Sequence, residues 1–138
     1  MKFAKLVFWI AGAWGVLVLT PLYFIFDIIG RQDPPAITHP AFYYGFVGVA
    51  LAWQFAFFVI GSNPARFRPM MILAALEKFI YGATLLVLFL QNRLHATDLA
   101  LGGIDSVLGI LFLVSFWKTR ALTDHRQPAL TTSNSAAQ

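Results

Sequence analysis

The chain contains no cysteine, which excludes disulfides, thiolate nucleophiles, cysteine-ligated zinc and iron–sulfur clusters. Charge is also scarce, because Asp, Glu, Lys and Arg together make up only 12% of the 138 residues. No phosphate-binding loop, HExxH motif, nucleophile elbow or EF-hand loop occurs. The sequence therefore predicts no intrinsic cofactor, no metal site and no catalytic residue, and any redox role would depend on a bound group.

Apolar residues take the place of charge. The chain is 59% hydrophobic and 16% aromatic, with a mean hydropathy of +0.71, which lies outside the usual range of soluble domains. The formal net charge of +4 does not indicate a nucleic-acid partner, since the basic residues lie at the edges of apolar blocks and form no single patch. The lipid bilayer is the predicted partner.

Four apolar blocks of about 20 residues follow one another, the length that a helix needs to cross the hydrocarbon core. Prolines or polar residues separate them, including Pro34 and Pro35 in the first joint. The sequence therefore predicts an all-α integral membrane protein, a four-transmembrane-helix bundle over residues 1–118 with a polar, flexible tail at 119–138. The predicted spans are about 6–26, 41–61, 69–90 and 99–117.

Lysine and arginine are distributed unevenly over the predicted joints. Arg31 and Arg93 lie on one side, and Lys78 lies within the third block. By the positive-inside rule, both termini are predicted to face the cytoplasm of a bacterial inner membrane. The other basic residues, all on the side of the termini, are Lys2, Lys5, Arg66, Arg68, Lys118, Arg120 and Arg126.

Two adjacent charges, Glu77 and Lys78, interrupt the third block. Each costs about 2.5 to 3.5 kcal/mol at the centre of a spanning helix, and neighbours on a helix point about 100° apart, so each needs its own partner. A short link joins the second and third spans, which predicts close antiparallel neighbours. We therefore expect Glu77 to bond with Gln54 at a similar depth. The long stem of Lys78 is expected to carry its ammonium to the cytoplasmic headgroups.

Polar residues form one stripe on each of the last two spans. Tyr81 and Thr84 follow Glu77 at helical spacing, and Asp105 lies between Gly102 and Gly109. Estimated depths place these groups in two layers, with Trp14, Gln54 and Glu77 nearer the cytoplasm and Thr20, Thr84, Asp105 and Ser106 nearer the outside. The layers either satisfy one another and fix helix register or line a cavity. The candidate ligand-binding or proton-carrying residues are Glu77, Tyr81, Gln54, Thr84, Asp105, Thr20 and Trp14.

Three stretches carry a family resemblance: YYGFVGVALAWQFAFFVIGSNPARFRP, LEKFIYG and GGIDSVLGILFLVSFWKT. They resemble a group of small, uncharacterised four-span bacterial inner-membrane proteins, over about residues 1–120. The layout is also similar to the broad DoxX-like class, some of whose members are accessory membrane subunits of quinone-linked oxidoreductases. The resemblance implies a four-helix membrane fold and attaches no chemistry to individual residues.

Three functions fit these observations. The leading interpretation is a non-catalytic membrane protein that binds a small hydrophobic or amphipathic ligand of lipid or quinone type, or that serves as an accessory subunit of a larger membrane complex. The first alternative is a proton-coupled small-molecule transporter or channel, as a homo-oligomer, with Glu77 carrying the proton. The second is a lipid-modifying membrane enzyme in which Glu77 and Tyr81 act as acid and base.

Overall fold

The computed structural model describes residues 1–32 and 36–124, with side chains described up to residue 120. The described part is helical and contains no strand. The predicted break at Pro34 and Pro35 lies outside the described residues, as does residue range 125–138 of the predicted tail. The helices are α1 (Lys2–Leu19), α2 (Phe26–Gln32), α3 (Pro40–Ser62), α4 (Met70–Leu90) and α5 (Ala96–Asp124), and a 3₁₀ turn (Thr20–Tyr23) follows α1.

Four helical segments are long and apolar enough to cross a membrane, which agrees with the predicted number of spans and with a multi-pass membrane protein. The fourth helix is longer than predicted. It begins at Ala96 and continues to Asp124, so the predicted boundary at residue 118 falls inside a helix. The four segments are Lys2–Tyr23, Pro40–Ser62, Met70–Leu90 and Ala96–Arg120.

Pro21 ends the regular helix of the first span. A proline has no N–H to donate and its ring clashes with the preceding turn, so α1 stops at Leu19 and a 3₁₀ turn completes the span. The hydroxyl of Tyr43 on α3 donates a hydrogen bond to the Leu22 carbonyl at 2.8 Å. This side chain therefore satisfies a backbone acceptor at the end of the span and links it to α3.

Glycines decide which helices pair closely. A Cβ on Gly82 of α4 would lie 2.6 Å from the Ser106 hydroxyl of α5, and one on Gly12 of α1 would lie 2.8 Å from the Phe58 ring of α3. Gly82 thus allows the backbone of α5 to approach closely, and Gly12 leaves room for the Phe58 ring. The bundle consequently consists of an α1–α3 pair and an α4–α5 pair, joined mainly through α1 and α5. The prediction of a close α3–α4 pair is wrong, because these helices touch little despite their short link.

The packed core occupies the half of the bundle that contains the N-terminus. The rings of Phe8 and Phe112 stack with centroids 4.3 Å apart, and Phe57 meets Phe112 edge-on at 5.0 Å. Met71 and Ala74 of α4 are fully buried in the same cluster. Three of the spanning helices contribute a phenylalanine to this aromatic core, and the fourth, α4, contributes Met71 and Ala74. This half of the bundle is therefore closely packed.

Candidate functional site

Lys78 lies inside the bundle, where only 5% of its surface is exposed. Its Nζ donates a hydrogen bond to Asp105 Oδ2 at 3.2 Å and lies 3.4 Å from Glu77 Oε2. The predicted route of this ammonium to the headgroups is therefore wrong. The physical reason is that Lys78 shares the buried face of α4 with Ala74 and Ala75, so packed core separates it from the end of the bundle where α4 begins.

The predicted hydrogen bond between Gln54 and Glu77 is not formed. Gln54 is 2% exposed, and its Nε2 donates to the Ala50 carbonyl of its own helix at 2.9 Å. Because α3 and α4 touch little, Glu77 instead forms an ion pair with Lys78. Gln54 Oε1 and Glu77 Oε2 are buried and have no hydrogen-bond partner among the described residues. The Ala50 contact also fixes the amide orientation, since a flipped amide would place two acceptors together.

The two predicted polar layers are not seen. Asp105, expected in the outer layer, meets Lys78, and both residues lie about 12 to 14 Å along the axis from the start of their helices. Thr84 is exposed and donates to the Ile80 carbonyl at 2.8 Å. Thr20 is exposed and lies outside the cavity described below.

Ser106 likewise donates to the Gly102 carbonyl of its own helix at 2.8 Å. A Ser or Thr hydroxyl that bonds to a carbonyl one turn back needs no partner on another helix. The hydroxyl groups predicted for the outer layer therefore do not assemble into one. The roles predicted for Thr20 and Thr84 in ligand binding stay predictions without a supporting contact.

A cavity of about 170 Å³ lies above the packed core and between the four spans. Its polar end is formed by Gln54, Glu77, Lys78 and Asp105. Tyr81 and Trp14 also line it, and Trp14 is half-exposed. The structure thus brings five of the seven candidate residues, Glu77, Tyr81, Gln54, Asp105 and Trp14, to one cavity. The remaining lining residues are Ala11, Gly15, Val18, Leu19, Leu22, Phe46, Ala50, Leu101, Ile104 and Leu108.

Two aromatic rings, one from α3 and one from α4, lie at the side of the cavity where these two helices are not in close contact. The rings of Phe46 and Tyr81 stack with centroids 6.0 Å apart and 23° between their planes. Both side chains line the cavity, and Phe46 is about half exposed. Because little else connects α3 to α4, this ring pair forms the boundary between the cavity and the outer surface of the bundle.

The charges at the polar end do not cancel. With all three groups ionised, two carboxylates face one ammonium, which leaves one net negative charge. The Lys78 ammonium also lies 5.4 Å from the centroid of the Phe57 ring, whose negative face attracts it further. A net charge in the membrane interior is unfavourable unless a proton or a cation compensates it. The cavity therefore suits a hydrogen-bond donor or a cationic group.

Two site features were missed from the sequence, the inward position of Lys78 and the contribution of Gly15. A Cβ on Gly15 would overlap the Gln54 carboxamide, so this glycine makes room for the amide. For Lys78, a usable signal was present. Small residues at i−4 and i−3, Ala74 and Ala75, mark the face of α4 that packs closely.

Comparisons with protein families, curated proteins and solved structures give no match. The site is therefore interpreted from its own geometry: one ammonium lies between two carboxylates, and a buried amide stands beside them at an apolar-walled space. Such an arrangement can bind and orient a small molecule.

Proposed function

We propose that this protein is a non-catalytic inner-membrane protein of bacteria that binds a small amphipathic molecule between its helices. The observation that carries the proposal is the cavity of about 170 Å³, which has apolar walls and a charged end near mid-membrane. An engineered apolar cavity of about 150 Å³ binds benzene. The space therefore suits one small group of a ligand whose remaining part extends into the bilayer.

The packed core favours binding over transport. A transported solute or proton would have to pass from the cavity to the side of the termini. That path is filled by Phe8, Phe57 and Phe112, all of which are fully buried. A cavity closed at one end is a binding site that has a single entrance, whereas a proton-coupled transporter with Glu77 as carrier requires a second arrangement of this core.

The distribution of basic residues supports the proposed orientation. With four spans, both termini lie on the same side of the membrane, and seven Lys and Arg of the sequence's ten fall on that side. With the termini in the cytoplasm, the closely packed half of the bundle lies on the cytoplasmic side. The cavity is then displaced toward the outer leaflet, where Leu22 and Leu101 line it.

Filling the cavity tests the proposal. In Ala50→Phe the new ring would occupy the space, whereas Ala52→Phe on the exposed face of the same helix is the matched control. The proteins are purified in native-membrane discs, and bound small molecules and proteins are identified by mass. We expect wild type and Ala52→Phe to retain an amphipathic molecule that Ala50→Phe loses, with all three folded. Identical small-molecule content in the three proteins would refute the proposal, and a stoichiometric protein partner would favour an accessory subunit.

A further inference from the structure

The ligand's polar head can be inferred from the acceptors of the residues that line the cavity, an inference that rests on the proposed function. Gln54 Oε1 is buried without a hydrogen-bond partner in the described part of the chain. Glu77 Oε2 makes no hydrogen bond there but lies 3.4 Å from Lys78 Nζ, and both residues line the cavity. An unpaired buried acceptor loses its hydration without compensation. A ligand that supplies a donor would give Gln54 Oε1 the hydrogen bond that it lacks, whereas a quinone brings only further acceptors.

The net charge of the site narrows the head further. One ammonium, Lys78, serves the carboxylates of Glu77 and Asp105, so the cluster lacks one positive charge when both are ionised. Carboxylate and phosphate heads would add to the excess of negative charge. A neutral hydroxyl would supply one donor and no charge, whereas a protonated primary amine supplies three donors and one positive charge.

The walls fit a cation as well. Three aromatic side chains, Trp14, Phe46 and Tyr81, line the space beside the acceptors. Aromatic rings attract cations through their negative faces, and the attraction strengthens where water is excluded. The apolar walls and the boundary between α3 and α4 leave an alkyl chain in contact with hydrocarbon.

We propose that the cavity binds the protonated primary amine of an amphipathic molecule, held by Gln54 and the Glu77 carboxylate. Lys78 and Asp105 form the ion pair beneath this head. The amine belongs either to a free lipophilic amine or to the headgroup of an aminophospholipid.

The test uses the full-length protein in nanodiscs of phosphatidylcholine, which carries no primary amine. Binding of decylamine, decanol and decanoate is measured by calorimetry, with empty nanodiscs and Ala50→Phe as controls for partition into lipid. We expect decylamine to bind roughly 10- to 100-fold more tightly than decanol, the ratio given by one or two charge-assisted hydrogen bonds. Competition by phosphatidylethanolamine in the nanodisc identifies the headgroup as the source, and its absence identifies a free amine.

A conservative variant separates charge from folding. Glu77→Gln keeps the side-chain shape and an acceptor for Lys78 but removes the excess negative charge. We expect it to bind decanol as wild type does and to lose the preference for decylamine. Asp27→Asn, which alters an exposed carboxylate outside the cavity, should keep that preference.

The outcomes distinguish the two proposals. Equal affinity for decanol and decylamine, or tighter binding of decanoate, would overturn the amine head while ligand binding itself stands. Failure of all three probes to bind, together with unchanged small-molecule content in Ala50→Phe, would overturn both.

Discussion

Replacing Lys78 by Met should destabilise the bundle more than replacing Asp105 by Asn, although both changes break the same hydrogen bond. At 3.2 and 3.4 Å each carboxylate attracts the ammonium by about 5 kcal/mol before desolvation, at an effective dielectric constant of about 20. Asp105→Asn loses one attraction, and Glu77 still balances the ammonium. Lys78→Met loses both attractions and leaves two carboxylates without a cation.

The expected costs follow from this difference. Removing one partner from a buried pair typically costs about 3 to 5 kcal/mol. We place Lys78→Met in that range. For Asp105→Asn we expect about 1 to 2 kcal/mol, because the asparagine amide still offers an oxygen to Lys78 and the Glu77 charge remains. The side chains of both carboxylates are about a fifth exposed, and this partial hydration reduces the loss of stability in either variant.

Unfolding in mixed micelles of a mild detergent and dodecyl sulfate, followed by circular dichroism, measures these free energies. A triple variant, Glu77→Gln with Lys78→Met and Asp105→Asn, serves as the control, because it removes every charge and should recover most of the stability lost in Lys78→Met. The argument from unbalanced charge would be refuted by either of two results. Asp105→Asn could destabilise the protein as much as Lys78→Met does, or the triple variant could be no more stable than Lys78→Met.

Three further predictions concern packing and the backbone. Gly82→Ala should lower the free energy of unfolding by about 1 to 3 kcal/mol, because its Cβ would press on Ser106. Gly103→Ala is the control: this glycine lies on the open face of α5, where a Cβ would have no heavy atom within 4 Å, so the free energy of unfolding should stay unchanged or rise. An equal loss in both variants would contradict close α4–α5 packing. Gly15→Ala should weaken ligand retention and also lower thermal stability, because its Cβ would displace the buried Gln54 side chain; retention at the wild-type level would argue against an acceptor role for that amide. Tyr43→Phe should cost about 1 kcal/mol in the same unfolding assay by removing the bond to the Leu22 carbonyl, and no loss would show that this carbonyl finds another donor.

The number of apolar spans follows from the sequence because it depends on local hydropathy, and the end of α1 before Pro21 agrees with the chemistry of proline. Helix pairing does not. A short link predicts contact between α3 and α4, but close approach is decided by which glycines face which helix, as Gly82 and Gly12 show. That information is tertiary, and hydropathy does not contain it.

The candidate site shows the same division. Glu77, Gln54 and Asp105 are recognisable because polar groups within a span must be compensated. The depths estimated from the helical rise placed Asp105 in a different layer from Glu77. That estimate uses only the rise between Cα positions and ignores the length of the Lys78 side chain, which contacts both carboxylates. The Lys78 stem spans the difference in level between the two helices and joins them.

The adjacency of Glu77 and Lys78 has a geometric explanation in this fold. Side chains one residue apart on a helix point about 100° from one another, so they cannot both face a single neighbouring helix. Because α4 packs tightly against α5 and only loosely against α3, Lys78 reaches Asp105 on α5, and Glu77 lines the cavity where the packing of α4 is loose. The lysine–aspartate contact then fixes the register of α4 and α5, while the Glu77 carboxylate pairs with Lys78 and lines the cavity. Under the proposed function, a single dipeptide thus supplies both the support of the site and the group that meets the ligand.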